Sequence, residues 1–294
     1  VLRILDQQSE ASDLDALGFD DGTLNALRQA KDRATGLLLV TGPTGSGKTT
    51  TLYALLNEID PVTRWVESIE NPIEYAKGVW LQFQTRTGGD EAVAAQSILK
   101  GLLRAAPDVI LFGEIRKADI ARELMDAANT GHLVFGTFHT NDAASTIGRL
   151  KGFNVDLDML ASLLVGILAQ RLIRTLCNSC KVPDTRPKTQ GALANLAFLQ
   201  RHQSKQGGIT PYQAVGCPNC NYTGYRGRRM VYEWLKVTPP VQDLIEQGAS
   251  PRRVAQEGVA DERSLAANAM RLVAQGFTSI EEAQRLAEGP ASSK

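Results

Sequence analysis

No excess of either charge appears in this chain: Lys plus Arg and Asp plus Glu number 32 each. A balanced composition gives no ground for expecting nucleic acid or an anionic membrane as a partner. Long apolar runs are missing too, since the longest, Met159 to Ala169, falls well short of the roughly 20 residues that span a bilayer. The start carries no secretory signal, so nothing there leads to an expectation of export. Cysteine is limited to four residues and histidine to three, and no internal repeat is visible.

The bulk that remains is ordinary: 43% apolar and 22% charged residues describe a soluble globular chain. At 294 residues it is long enough for about two domains and a large core. One segment is specific. Residues 42 to 49 read Gly42-Pro43-Thr44-Gly45-Ser46-Gly47-Lys48-Thr49, a complete G-x-x-x-x-G-K-T phosphate-binding loop. Its glycines let the backbone turn so that consecutive N–H groups point inward, and the following helix aims its positive end at the phosphates. Lys48 is expected to reach the β and γ phosphates and Thr49 to hold Mg²⁺, with Thr50 beside it in the nucleotide site. Leu37-Leu38-Leu39-Val40 before the loop reads as a buried strand. Leu52, Leu55, Leu56 and Ile59 after it repeat at helical spacing, and Pro61 ends the helix. The alternative is a chance match in a Gly-rich turn, against which the strand and helix in place argue. ATP use without an export signal leads to the expectation of a reducing cytoplasm.

The organisation along the chain follows from pattern. The opening Val1-Leu2-Arg3-Ile4-Leu5, without an initiator Met, reads as the last strand of a preceding domain, and residues 1–23 as the end of that domain and an acidic linker. From 24 to 156 short apolar runs alternate with helical patterns, the signature of a parallel α/β sheet. The expected strands are Leu37 to Val40, Trp65 to Ile69, Val109 to Phe112 and Leu133 to Thr137. The expected helices are Leu24 to Asp32, the loop helix, Asp90 to Ala105 and Ala118 to Asn129. Beyond Asp156 the strand pattern stops, and Leu157 to Leu176 reads as one long apolar helix. Residues 157–286 therefore read as a helical domain with a four-cysteine subdomain over 177–220, and 287–294 as a disordered tail.

Ligands of open parallel sheets sit beyond the carboxyl ends of the strands. The residues there are Glu70-Asn71-Pro72-Ile73-Glu74, Gly113-Glu114-Ile115-Arg116, and His139 within Thr137-Phe138-His139-Thr140-Asn141-Asp142, with His132 near the same strand. Glu114 is the first candidate for chemistry: a strand-end carboxylate can orient or deprotonate an attacking water while Mg²⁺ and Lys48 absorb charge on the phosphates. Otherwise it is a solvated helix cap. The magnesium-side Asp common before such a Glu is absent, and Gly113 stands there, which leaves Glu70 and Glu74 to support metal or water. His139 is placed to bond or sense the γ-phosphate. For His132 structural and functional readings remain equal, and His202 reads as surface.

Cys177-x-x-Cys180 and Cys217-x-x-Cys220 supply four thiolates for one tetrahedral, closed Zn²⁺ site that would hold a fold together and do no catalysis. The 36 residues between the pairs exceed the commonest spacing. Disulfides are the alternative, which a reducing compartment disfavours. The basic cluster Arg226-Gly227-Arg228-Arg229, with Tyr222, Tyr225 and Tyr232 around it, could suggest nucleic acid. In a neutral chain it reads rather as a protein contact surface or a solvated loop.

Together these segments, with Gln170-Arg171-Leu172 and Gly224-Tyr225-Arg226-Gly227-Arg228, resemble the secretion ATPases that power type II secretion and type IV pilus assembly, over Val1 to about Leu286. The resemblance implies a RecA-like P-loop NTPase domain and a homo-hexamer with ATP between subunits. It also implies an inner-membrane platform protein and a cytoplasmic adaptor as partners, the chain being cytoplasmic and only peripheral to the membrane. In that family the catalytic Glu follows a Gly, as Glu114 follows Gly113, with Arg116, Glu70, Glu74, His132 and His139 in the conserved boxes. The cysteine pairs resemble those of assembly and export members, whereas retraction members generally lack them. Three departures stand out: Asn71 for the usual Asp of its box, Lys117 for the Asp that normally follows Arg116, and Ala105-Ala106 for a polar pair. Two other readings stay open, a RecA-like nucleic-acid motor and an ATP-binding switch with little hydrolysis.

Overall fold

The computed structural model describes residues 13–76, 78–85, 91–194 and 210–288. The strand expected at Val1 to Leu5, His202 and the tail from 289 onward lie outside them. The chain divides into two compact units, Val1–Ala169 with Trp234–Val259, and Gln170–Glu233 with Ala260–Lys294. The chain leaves the first unit after Ala169, beyond the boundary expected near Asp156, and returns to it for Trp234–Val259.

The first unit is built on parallel strands with helices between them. Strand β1, Gly36–Thr41, follows helix α1, Asp21–Lys31, and is buried at every position, as a central strand covered on both faces must be. It feeds the phosphate loop and helix α2, Lys48–Asn57, which buries Leu52, Tyr53, Leu55 and Leu56. Strand β2, Val66–Glu70, and a short strand β3, Leu81–Gln84, follow. Then come α3 (Glu91–Ala105), β4 (Val109–Phe112), α4 (Ala118–Asn129), β5 (Leu133–Phe138), α5 (Ala143–Gly152) and α6 (Leu157–Leu163). Helix α4 shows how pattern becomes structure: Ile120, Ala121, Leu124, Met125 and Ala128 recur at helical spacing and are all buried. The sheet order is β3-β2-β4-β5-β1-β6-β9, where β6 is Leu164–Leu176 and β9 is Tyr225–Lys236, and β1 pairs in parallel with β5, β5 with β4, β4 with β2 and β2 with β3. Parallel pairing sets the carboxyl ends of β1, β4, β5 and β2 on one side of the sheet, and every strand-end candidate but His132 belongs to those ends.

The long helix expected over Leu157 to Leu176 is not formed. Helix α6 stops at Leu163, and Leu164–Leu176 is strand β6, parallel to β1 with Gly166 opposite Leu38. A strand buried on both faces carries a continuous apolar run that periodicity alone does not separate from a buried helix. Two physical features decide it. Gly166 weakens a helix interior, and a Cβ there would lie 2.2 Å from the indole of Trp234, so the strand accepts that ring only because position 166 has no side chain. The helical reading beyond Asp156 fails a second time at β9, Tyr225–Lys236. The Arg226–Arg229 cluster lies on this strand and not in a loop. First-unit helices α8 (Pro239–Glu246) and α9 (Pro251–Gly258) follow it.

The second unit holds the two-stranded antiparallel ribbon of β7 (Val182–Pro183) and β8 (Tyr212–Gln213). It also holds helices α7 (Pro187–Ala194), α10 (Leu265–Ala274) and α11 (Ile280–Glu288). Arg174 pairs with Glu282 and its guanidinium lies 4.2 Å over the ring of Tyr225, while Arg229 stacks 3.7 Å over Phe277. Among the described residues no helix is long and apolar enough to cross a membrane.

The contact at Gly166 can be tested. Gly166→Ala is expected to destabilise the protein by about 1–3 kcal/mol through overpacking, read as a lowered urea midpoint. A midpoint equal to the parent's would mean that the Trp234 indole does not rest on this strand.

Candidate functional site

The phosphate loop is shaped by backbone that only glycine adopts readily. Gly42, Gly45 and Gly47 have φ of 148°, 76° and 88°, and Gly47 is the left-handed N-cap of α2. The loop is anchored at its start, where the Gly42 N–H donates to the Phe138 carbonyl at 3.3 Å. A chain of hydroxyls continues that anchor: Thr41 Oγ1 lies 2.7 Å from Thr140 Oγ1, which lies 2.7 Å from Thr146 Oγ1 on α5. Lys48 folds back over the loop, its Nζ donating to the carbonyls of Gly42 at 2.8 Å and Pro43 at 3.2 Å. It is 9% exposed. Burial lowers the pKa of this ammonium, and the negative charges of Glu114 and Glu74 work against that.

Glu114 is strapped between neighbouring strand ends. The Gly113 N–H donates to the Ile69 carbonyl at 2.8 Å and the Ile115 N–H to the Thr137 carbonyl at 2.9 Å, while the Thr137 hydroxyl donates to the Gly113 carbonyl. Arg116 grips both carboxylate oxygens of Glu114 at 2.7 Å each, and His139 Nε2 lies 3.2 Å from Oε2. Partial burial works to raise the Glu114 pKa, but Arg116 and His139 outweigh it, so the group sits below its ordinary value. It is an ionised acceptor at neutral pH. A Cβ at position 113 would meet the Ile69 carbonyl at 3.2 Å and the Glu70 Cα at 3.3 Å, so a side chain where an Asp is common would need the end of β2 to give by a few tenths of an ångström.

The two other carboxylates part company. Glu70, 5% exposed, accepts from Tyr53 Oη, from Ser68 Oγ at 2.6 Å and from Gln82 Nε2 at 3.2 Å. Both of its oxygens are committed to protein donors. Glu74 lies in the irregular segment after β2 and its charge reaches Lys48. His132 is not brought to the loop: it precedes β5 at the amino end, its Nδ1 2.9 Å from the Ala127 carbonyl. The six residues of β5 separate it from the other end by roughly 17–20 Å. Sequence reasoning missed Tyr53, Ser68 and Gln82, whose only signal is a polar atom at a buried position of a helix or strand.

In the second unit Cys177, Cys180, Cys217 and Cys220 converge, all four sulfurs within 4.8 Å of one another. Three of the separations are 3.8 Å, which matches the edge of about 3.8 Å for a tetrahedron with metal–sulfur bonds of about 2.3 Å. No two are at disulfide distance, and all are free thiols. Backbone N–H groups of Gly216, Cys217 and Gly224 point at the sulfurs of Cys180 and Cys220. The turn that permits this uses left-handed Asn221 and Tyr222. A Cβ on Gly216 would lie 2.7 Å from the Tyr222 carbonyl. The donor set fits a closed four-thiolate metal site with no position left for water.

Known proteins resemble this chain over most of its length. The family model described as "Type II/IV secretion system protein" matches residues 1–285. The type II secretion system ATPase E of Vibrio cholerae is 38% identical over 97% of this chain and 55% of its own length. The type IV pilus assembly ATPase PilB of Myxococcus xanthus is 38% identical over 96% of this chain and 49% of its own. The chain thus spans about half the length of these relatives. Among solved structures, the pilus retraction motor PilT with bound ADP superposes with a TM-score of 0.66 at 26% identity, covering 96% of this chain and 68% of that one. The Legionella pneumophila ATPase DotB, at 20% identity and a TM-score of 0.64, over 95% of this chain and 66% of its own, shares the fold. With a RecA-like α/β sheet and a match along nearly its whole length, the chain belongs to the type II/IV secretion system protein family.

Proposed function

We propose that this chain is the ATP-hydrolysing part of a cytoplasmic motor for type II secretion or type IV pilus assembly. It works as a homo-hexamer on an inner-membrane platform protein and a cytoplasmic adaptor, peripheral to the membrane. The observation that carries the reading is the pairing of Lys48, held over the phosphate loop by two carbonyls, with Glu114, held ionised by Arg116 and His139. Phosphate oxygens replace the Gly42 and Pro43 carbonyls as partners of the Lys48 ammonium. The residues from Gly42 to Thr50 cradle the triphosphate, and Thr49 would contribute a hydroxyl to Mg²⁺, which supplies charge neutralisation on the phosphates. Glu114 orients a water and accepts its proton as the water oxygen bonds to the γ-phosphorus and the bond to the ADP oxygen breaks. Arg116 and His139 keep that carboxylate deprotonated and aimed. The four cysteines would hold Zn²⁺ as a structural site.

Glu114→Gln should lower turnover by about 10²- to 10⁴-fold while ATP affinity stays within a few-fold of the parent's. Steady-state hydrolysis at the parental rate would move the base elsewhere and favour a switch that binds ATP with little hydrolysis.

The metal has its own test. Elemental analysis should find one zinc per chain, and chelation should loosen the cysteine-bearing unit before the nucleotide-binding one in hydrogen exchange, since structural zinc contributes folding free energy directly. Zinc-free protein with all four thiols rapidly alkylated would contradict the site.

A further inference from the structure

We infer that Gln82 and Gln84, alternate residues of the edge strand β3, are the positioning residues for Glu74 at the nucleotide site. The inference rests on the reading of that site given above. Between β2 and β3 the chain has no regular structure from Asn71 to Ala76, so nothing in a ladder fixes Glu74. Two side-chain hydrogen bonds do so on either side of it. The Ile73 N–H donates to Gln84 Oε1 at 3.1 Å, and Gln82 Nε2 donates to the Tyr75 carbonyl at 3.1 Å. The residues before and after Glu74 are thus pinned to one strand.

The pins share a face because β3 pairs in parallel with β2, Gln82 opposite Ser68 and Gln84 opposite Glu70, and residues two apart in a strand point the same way. That strand is itself tied to the phosphate-loop helix. Gln82 Nε2 also lies 3.0 Å from the Tyr53 hydroxyl of α2 and 3.2 Å from Glu70 Oε1, and the Tyr53 hydroxyl donates to Glu70. The Thr85 N–H donates to the Glu70 carbonyl at 3.0 Å. The helix that carries Lys48 and the segment that carries Glu74 therefore meet in one hydrogen-bonded cluster, and Glu70 is its hub rather than an open metal ligand. The charge of Glu74 on Lys48 is the expected consequence of that arrangement.

The test uses the whole chain and MgATP, with steady-state hydrolysis and calorimetric ATP affinity as separate readouts. Gln84 is exposed, so Gln84→Met is expected to fold normally, which a parental thermal midpoint checks. It should lower kcat by about 3- to 10-fold, the effect of one net hydrogen bond, with KM for ATP and ATP affinity near the parent's. Gln84→Glu keeps an acceptor oxygen and should restore kcat. Gln82→Met should lower kcat at least as far as Gln84→Met. Because the pins act through Glu74, Gln84→Met should have no further effect in a Glu74→Gln background. A parental kcat for Gln84→Met beside an impaired Glu74→Gln would overturn the positioning role alone. So would an undiminished Gln84→Met effect in the Glu74→Gln background. A parental kcat for Glu74→Gln would overturn Glu74's place in the nucleotide site, and the inference with it.

Discussion

A lysine ammonium that is nine-tenths buried must keep hydrogen-bond partners, and around Lys48 this requirement organises the carboxyl ends of the sheet. Its two partners are backbone carbonyls of its own loop, a pair that phosphate oxygens can displace with a gain in charge complementarity. The loop can present them only because three glycines take positive φ and because Gly42 is hydrogen-bonded to the end of β5. Remove that anchor and the ammonium has no fixed place. The threonines at 41, 140 and 146 extend the same constraint to α5.

Crowding explains the second half of the site. Parallel pairing draws the ends of β2, β4 and β5 so close that Gly113 donates to one neighbour while Ile115 donates to another. A Cβ at 113 would come within 3.3 Å of the Glu70 backbone, and the carboxylate at position 114 is the one that Arg116 and His139 reach. Ionisation follows from geometry there: two cationic or hydrogen-bonding neighbours outweigh the desolvation that would raise the pKa. The Arg116 side chain is 62% exposed, so its value lies in orienting Glu114 more than in stability.

Much of this could be read from the residues alone, and the failures have physical causes. Strands β1 and β4 and helix α4 carry local patterns that burial reinforces, and their expected bounds agree with the observed ones within a residue or two. Strand β3 escaped because an edge strand of four residues has no continuous apolar run. Strand β6 was read as helix because burial on both faces erases the alternation that marks a strand. Within the candidate site, the phosphate loop and the four cysteines stand out by the fixed spacing of their residues, while Glu114 stands out only by its place at a strand end. Glu70 and His132 could not be sorted, because neither the donors that occupy Glu70 nor the end of β5 on which His132 sits is visible before the strands are paired.

In the proposed function Lys48 is the ligand of the phosphates, and calorimetric titration of MgATP into the chain and its Lys48→Ala variant tests this most directly. Loss of one charge-assisted contact predicts an affinity lowered by at least about 10- to 100-fold, in a protein whose thermal unfolding is close to the parent's. An unchanged ATP affinity in a folded Lys48→Ala protein would contradict it.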